Sequence, residues 1–199
     1  MQVVGIVGGV ASGKSLVACR LVELGAALID GDATGHDVLC EPDVIGQIVD
    51  RWGTGVLDAD GAIDRSAVAC RVFATGPGGA EDLAFLEAIM FPRIRRRIED
   101  QIETWRAAGD IEVAVVDAAV MFKAGWDRNC DIILFVDAPR GDRLSRAQSR
   151  GWTEQQFSAR ERAQVALETK RREAGAVIDN SGAIAQTYAQ TEQFWQSLD

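Results

Sequence analysis

The stretch from Gly8 to Ser15 constrains the fold of this chain more than any other. It reads Gly-Gly-Val-Ala-Ser-Gly-Lys-Ser, which matches the pattern G-x-x-x-x-G-K-S. A short apolar run over residues 3–7 precedes it, and residues 16–24 carry apolar side chains at helical spacing. The sequence therefore predicts a strand, a glycine-rich loop and a helix in direct succession, which is the context that this pattern requires.

A loop of this kind binds the phosphates of a nucleoside triphosphate. Its glycines let the backbone turn back and bring N–H groups to a phosphate at the N-terminus of the next helix. Lys14 is expected to reach the outer phosphates, and the Ser15 hydroxyl is expected to bind Mg²⁺. An accidental glycine-rich turn is disfavoured, because the chain has only three lysines and one occupies the required position. The predicted nucleotide-binding residues of the loop are Gly9, Val10, Ala11, Ser12, Gly13, Lys14, Ser15 and Leu16.

A second candidate lies in the run Asp30-Gly31-Asp32, which closes a predicted short strand over residues 26–29. Open α/β sheets bind their ligands outside the carboxyl ends of the strands. Asp32 is therefore expected to accept a proton from an attacking hydroxyl group, to hold a metal-bound water, or both. The alternative is an ordinary acidic turn, since Asp-Gly is a common turn pair. The loop upstream favours a functional role for Asp32 and leaves Asp30 undecided.

Two further buried strands are predicted at residues 111–116 and 132–136, and each is followed by an aspartate. Asp117 has the position of a second ligand for metal-bound water in phosphate-loop proteins. Strands of any kind also end in aspartate, so both interpretations of Asp117 stay open. Between the second and third strands, residues 33–108 have a mostly helical pattern that Pro92 is expected to interrupt. Such an inserted helical region is a common way to build a pocket for an acceptor.

Four arginines, Arg140, Arg143, Arg146 and Arg150, follow Pro139 at helical spacing. In a chain with a net charge of −9 they form a local positive ridge, which fits phosphate binding during transfer. Arg150, beside Gly151, is the best candidate of the four. The alternative is a charged helix face in solvent. A further helix is predicted from Thr153 to about Arg172 by a capping box, and a short strand and a last helix follow it.

The composition excludes several classes of protein. The net charge of −9 argues against a general nucleic-acid or anionic-membrane surface. The four cysteines are widely spaced, which is typical of thiols in a reducing compartment, and the single histidine, His36, disfavours a cysteine–histidine metal site. The N-terminus lacks the basic segment of a signal peptide, and no apolar run has the length of a membrane span. We therefore expect a cytoplasmic protein.

Several separated stretches together resemble the dephospho-coenzyme A kinase family, whose members phosphorylate the ribose 3′-hydroxyl of dephospho-coenzyme A with ATP. The glycine-rich loop alone would indicate only a superfamily. The more specific stretches are Asp30-Gly31-Asp32, residues 130–137, residues 146–151, Ala163-Gln164 and the ending Val177-Ile178-Asp179-Asn180-Ser181-Gly182. They span nearly the whole chain in the order that the family has.

The resemblance implies a phosphate-loop α/β fold, with a parallel five-stranded sheet flanked by helices, a helical acceptor-binding insertion and a lid. Residues 1–199 are then a single kinase domain, with a core at about 1–32, 109–137 and 173–199, the insertion at about 33–108 and the lid at about 138–172. The implied cofactors are ATP and Mg²⁺, and the implied partner is dephospho-coenzyme A, with no nucleic acid or membrane.

The resemblance also implies roles for individual residues. Asp32 is the base for the acceptor hydroxyl, and Lys14 and Ser15 bind phosphates and Mg²⁺. Arg150 belongs to the lid and acts with Lys14 on the transferred phosphate, whereas Asn180 lies near the adenine.

The chain departs from the family on the acceptor side. Phe91 stands before Pro92 where the family usually has histidine, and Ala119-Val120-Met121-Phe122-Lys123 replaces Pro-Leu-Leu-Phe-Glu. Lys123 thereby reverses a charge beside the expected acceptor pocket. Two alternatives therefore stay open: a phosphate-loop kinase for a different small hydroxyl acceptor, and a non-catalytic ATP-binding relative.

Overall fold

The computed structural model of this chain describes residues 1–74 and 76–198. It begins as the loop pattern predicts, with strand β1 (Gln2–Gly8), the glycine-rich loop and helix α1 (Lys14–Glu23). The remaining strands are β2 (Ala27–Asp30), β3 (Val113–Asp117), β4 (Ile132–Asp137) and β5 (Ala176–Asp179). The remaining helices are α2 (Gly31–Leu39), α3 (Pro42–Trp52), α4 (Arg65–Val72), α5 (Pro77–Ala108), α6 (Met121–Ala124), α7 (Arg140–Ser149), α8 (Glu154–Arg162), α9 (Leu167–Arg172) and α10 (Ile184–Gln196). Short 3₁₀ helices cover Thr54–Val56 and Trp126–Asn129.

The five strands form one parallel sheet in the order β2-β3-β1-β4-β5, which confirms the predicted fold class. The central strands β1, β3 and β4 are nearly continuous runs of buried apolar residues. Strands of this kind are typical of parallel sheets that are covered on both faces, because no face alternates toward water. This is why the sequence identified these strands so readily.

The strand order places a crevice beside the glycine-rich loop. The chain leaves β1 toward β2 on one side of the sheet, and it leaves the neighbouring strand β4 toward β5 on the other side. Ligands of open α/β sheets bind outside the carboxyl ends of strands at such a switch point. The loop between Gly8 and Lys14 is at the carboxyl end of β1, and it therefore lies at this point.

Helices α1 and α10 contribute to the main hydrophobic core of the sheet. Val17 and Leu21 of α1 are fully buried with Leu134 of β4 and Ile178 of β5, and Phe194 of α10 packs in the same cluster. Burial of one such side chain contributes about 1.5–3 kcal/mol. The start of α1, and with it the end of the loop, is fixed by this packing.

The chain divides into two compact units, Met1–Gly31 with Glu99–Asp199, and Asp32–Ile98. The first unit contains the whole sheet. The second contains α2, α3, α4 and the N-terminal part of α5, and its own core includes Val44, Ile48 and Trp52. The finer division of the chain into core, insertion and lid stays a prediction.

Helix α5 corrects one expectation, because it continues through Pro92 for 32 residues. The predicted interruption is wrong. Proline removes one N–H group from the helix, but Ile89 and Ile94 on either side of it are both buried. The Arg93 guanidinium also donates to the Ile89 carbonyl at 2.9 Å. Packing of the apolar face therefore outweighs the missing hydrogen bond.

No helix in the described part of the chain is both long enough and apolar enough to cross a membrane.

Candidate active site

The glycine-rich loop turns by means of two left-handed residues. Ala11 has a φ of 58° and Gly13 a φ of 97°, and the amide of Ser12 donates to the carbonyl of Gly9 at 3.1 Å. Left-handed residues in a tight turn bring successive N–H groups to one side and create a concave site for an anion. The first amides of α1, beginning at Lys14, have no acceptor within their own helix. The loop and the helix start together provide a phosphate site.

Both glycines that the sequence pattern requires are also required by packing inside the loop. A Cβ atom at Gly8 would lie 2.5 Å from Oγ of Ser12, and one at Gly13 would lie 2.0 Å from Nδ2 of Asn180. These distances are too short for any Cβ contact. The Ser12 hydroxyl is fully buried and has no hydrogen-bond partner among the described residues. The loop shape therefore depends on glycine at both positions.

Asn180 supports the loop through its side chain. Its Nδ2 donates to the Ser12 carbonyl at 2.7 Å, and its Oδ1 accepts from the Thr187 hydroxyl of α10 at 2.8 Å. The side chain is buried, so both contacts are shielded from water. The resemblance predicts that Asn180 lies near the adenine, and this stays a prediction. The structure adds a second role for this residue, which is to hold the loop from the end of β5.

The predicted arginine ridge of α7 separates into residues with different surroundings. Arg146 donates to the carbonyls of Ser12 at 3.0 Å and of Asn180 at 2.7 Å. Arg143 is buried and donates to the Val10 carbonyl at 3.3 Å, to the Ala138 carbonyl and to the Glu161 carboxylate. Two arginines of the ridge are thus directed at the loop backbone.

Arg140 and Arg150 lie on the exposed part of the ridge. Arg140 interacts with Glu161 and Ser158 of α8. Arg150 caps the C-terminal end of α7 and is exposed. Its role in the lid stays a prediction.

Lys170 is a site residue that sequence reasoning missed. Its ammonium group is buried and donates to the Gly8 carbonyl at 3.1 Å and to the Gln164 side chain at 2.7 Å. Burial, followed by the charges of Lys14 and Arg143, lowers the pKa of Lys170 to about 8. The available signal was the scarcity of lysine, since this is one of only three in the chain and another is in the loop.

Carboxylates end strands β2 and β3, as predicted, and β3 lies between β2 and β1 in the sheet. Asp30 of β2 and Asp117 of β3 are register partners in the sheet, and Asp117 is also paired with Ile6 of β1. The residue after Asp30 is glycine, and a Cβ atom at this position would lie only 2.9 Å from the Cβ of Ala118. In the second unit, Asp32 lies in the first turn of α2, and its side chain is exposed.

The position of the Ser15 hydroxyl is compatible with its predicted role as a magnesium ligand. Ser15 is exposed in the first turn of α1, next to Lys14. Magnesium usually keeps several waters and is held by one or two protein oxygens together with substrate phosphates. A hydroxyl at a phosphate loop fits that donor set. No group of three or more potential metal-binding side chains occurs within the described ranges.

The residues that depart from the family pattern belong to both units. Lys123 is exposed on α6, and Ala119 lies between β3 and that helix. Phe91 is half-buried within α5 in the second unit.

The parallel sheet and the loop at its switch point define the class of this protein. A strand, a G-x-x-x-x-G-K-S loop and a helix at the centre of a five-stranded parallel sheet are the parts of a phosphate-loop nucleotide-binding protein. Comparison with known proteins gives the family within that class.

The sequence profile of the family described as "Dephospho-CoA kinase" matches residues 2–186. A dephospho-CoA kinase of Symbiobacterium thermophilum is 39% identical over 99% of this chain and 81% of its own length. One of Corynebacterium jeikeium is 37% identical over 100% of both chains. The solved dephospho-CoA kinase of Campylobacter jejuni shares the fold, with a TM-score of 0.74 and 22% identity over 100% of this chain and 98% of its own. The chain belongs to the dephospho-CoA kinase family.

Proposed function

We propose that this protein transfers the γ-phosphate of ATP to the ribose 3′-hydroxyl of dephospho-coenzyme A, which gives coenzyme A and ADP. The observation that carries the proposal is the family match over residues 2–186, which includes both the phosphate loop and the Asn180 segment that supports it. Coenzyme A biosynthesis ends with this reaction. The enzyme is accordingly a phosphotransferase with an alcohol acceptor, and its substrates are small molecules.

In the proposed mechanism, the loop amides and Lys14 bind the outer phosphates of ATP. Arg150 adds positive charge as the phosphoryl group moves, which stabilises the transition state electrostatically. Asp32 accepts the proton of the 3′-hydroxyl while that oxygen forms its bond to the γ-phosphorus. The bond between the γ-phosphorus and the bridging oxygen breaks, and that oxygen leaves with ADP.

Ser15 is the residue that would hold Mg²⁺ with the phosphate oxygens, and the ion would supply neutralisation of phosphate charge. A cytoplasmic location fits an enzyme that uses ATP, and it stays a prediction. The two alternatives, a kinase for another hydroxyl acceptor and a non-catalytic ATP-binding relative, gain no support from the comparisons.

The test is a steady-state assay of ADP formation with Mg·ATP. We expect turnover that requires dephospho-coenzyme A and saturates with it. Absence of turnover when both substrates are saturating would contradict the proposal. Turnover with a different alcohol and none with dephospho-coenzyme A would replace it with the first alternative.

A further inference from the structure

Three carbonyl groups of the phosphate loop accept hydrogen bonds from side chains, and they alternate along the loop. They belong to Gly8, Val10 and Ser12. In a planar trans peptide the carbonyl and the following N–H point in opposite directions. A side chain that holds one of these carbonyls therefore directs the next amide away from itself. The amides directed in this way are those of Gly9, Ala11 and Gly13.

Lys170 holds the first of these carbonyls, at the point where β1 becomes the loop. Its side chain is only 2% exposed, and its ammonium group contacts the Gly8 carbonyl and the Gln164 side-chain oxygen. Both acceptors are neutral. No carboxylate within the described residues pairs with this ammonium group. The nearby charged groups that act on it, Lys14 and Arg143, are themselves positive.

A buried ammonium group without a carboxylate partner is costly, because its loss of hydration is only partly offset by neutral acceptors. The two neighbouring positive charges add to this cost. A phosphate bound at the loop would reduce this cost by neutralising the charges of Lys14 and Lys170, whereas Arg143 is already paired with the Glu161 carboxylate. The arrangement thus destabilises the nucleotide-free protein relative to the protein with bound phosphates.

We infer that Lys170 is a positioning residue for nucleotide binding, which fixes the Gly8 peptide so that the Gly9 amide is presented to the phosphates. It also places a buried positive charge that the phosphates neutralise. The inference rests on the proposed function for the identity of the nucleotide, since the loop is taken as the ATP site.

The main test compares Lys170→Met with a matched control. The methionine keeps much of the buried aliphatic length and removes the ammonium group. Arg172→Met removes a positive charge from the same helix, at a side chain that is 70% exposed and that pairs, among the described residues, only with its neighbour Glu173. Binding of Mg·ADP is measured by calorimetry, and the KM values for ATP and dephospho-coenzyme A are measured in the steady state.

We expect Lys170→Met to weaken Mg·ADP binding by about tenfold or more, the scale of one lost hydrogen bond from a charged group. The KM for ATP should rise with it, whereas the KM for dephospho-coenzyme A should not change. Arg172→Met should leave all three values near those of the unsubstituted chain, and Lys170→Arg should recover part of the affinity. Unchanged Mg·ADP affinity in Lys170→Met overturns the inference.

Gln164→Glu covers the case in which Lys170→Met does not fold. This substitution keeps the contact with the ammonium group and adds the carboxylate that it lacks. We expect a more stable protein that binds Mg·ADP more weakly, because the positive charge is then already neutralised. Equal or tighter Mg·ADP binding means that Lys170 has only a structural role. Tight Mg·ADP binding by the unsubstituted chain without formation of coenzyme A would contradict the proposed function and leave this inference standing.

Discussion

At position 13 the sequence pattern, the backbone conformation and the packing all require glycine. The φ of 97° is unfavourable for any residue with a Cβ atom, and such an atom would lie 2.0 Å from Nδ2 of Asn180. Gly13→Ala therefore has to move the loop or displace the side chain that supports it. We expect a loss of stability of about 1–3 kcal/mol, and Mg·ADP binding at least about tenfold weaker, by calorimetry.

Gly46→Ala is the matched control for that substitution. Gly46 lies within α3, and apart from its chain neighbours and the surrounding helix backbone no described atom comes within 4 Å of the Cβ position there. Alanine in a helix interior is favoured over glycine by about 0.5–1 kcal/mol. The control should therefore be slightly more stable than the unsubstituted chain and bind nucleotide equally well. Equal nucleotide affinity in both variants would show that the loop does not need its left-handed glycine.

Asp32→Asn tests the proposed general base. Asparagine keeps the size of the side chain but cannot accept the hydroxyl proton as a carboxylate does. We expect kcat to fall by about 10²–10⁴-fold, with Mg·ATP affinity unchanged. The control is Asp37→Asn on the same helix, where the carboxylate lies 4.0 Å from the Arg97 guanidinium. If kcat of Asp32→Asn is close to that of the unsubstituted chain, a group other than Asp32 accepts the proton of the hydroxyl.

Residue roles could be predicted from the sequence where one short segment defines them. Roles for Lys14 and Ser15 could be predicted because both residues occupy fixed positions in a local pattern, and these roles stay predictions. The contact between Asn180 and Ser12 joins residues 168 positions apart, and no local pattern indicates such a contact. Lys170 was missed for a related reason, since its segment Leu167–Arg172 is rich in charge and is typical of a solvated helix face.

Elements were predicted well where burial on both faces leaves a continuous apolar run. The predicted strands at residues 3–7 and 132–136 lie within β1 and β4. The single helix predicted from Thr153 to about Arg172 is wrong, because the structure has two helices, α8 and α9, with a break between Arg162 and Leu167. The break lets Gln164 reach the Lys170 ammonium group. The local helical pattern could not indicate this arrangement, because Lys170 also donates to the Gly8 carbonyl, 162 positions away in the sequence.

Pro92 provides a test at the scale of the helix. Proline in a helix interior removes a hydrogen bond and costs about 3 kcal/mol relative to alanine. In α5, packing of the apolar face around Ile89 and Ile94 offsets this cost. We expect Pro92→Ala to raise the free energy of unfolding by about 1 kcal/mol or more, measured by urea denaturation.

A matched substitution within α5 is Ala88→Pro, one turn before Pro92. A second proline removes another helix hydrogen bond and should lower the free energy of unfolding by about 3 kcal/mol. If Pro92→Ala is also destabilising, the proline ring contributes contacts that exceed the missing hydrogen bond.

On the scale of the whole molecule, an acidic chain concentrates positive charge at one place. The net charge is −9, yet Lys14, Arg143, Arg146 and Lys170 all lie at the phosphate loop. Composition predicted that the protein does not have a generally basic surface. It could not predict the local cluster, because the four side chains come from three different helices that only the fold brings together.

Because of this cluster, we expect the free energy of unfolding to depend on pH in the alkaline range. Lys170 keeps its proton up to its ordinary pKa of 10.5 in the unfolded chain, but only up to about 8 in the folded protein. Between these values the unfolded chain binds more protons, so this residue's contribution to the free energy of unfolding rises with pH. Cys130 acts in the opposite direction, because burial raises the pKa of its thiol from 9.0 to about 12.

Comparing the unsubstituted chain with Lys170→Met isolates the contribution of Lys170 to this pH dependence, since both proteins contain Cys130. The difference in free energy of unfolding, unsubstituted chain minus variant, should increase as the pH rises through this interval. Urea denaturation at several pH values measures it. Parallel curves for the two proteins would show that Lys170 titrates normally in the folded state.

The proposed transfer of one phosphoryl group to one hydroxyl can be tested by following that group from ATP to its acceptor. ATP labelled in its γ-phosphate is incubated with the protein, Mg²⁺ and dephospho-coenzyme A, and the products are separated. We expect one labelled phosphate in coenzyme A, as a ribose 3′-monoester, for each ADP formed. Label found in inorganic phosphate, or retained entirely in ATP, would contradict it.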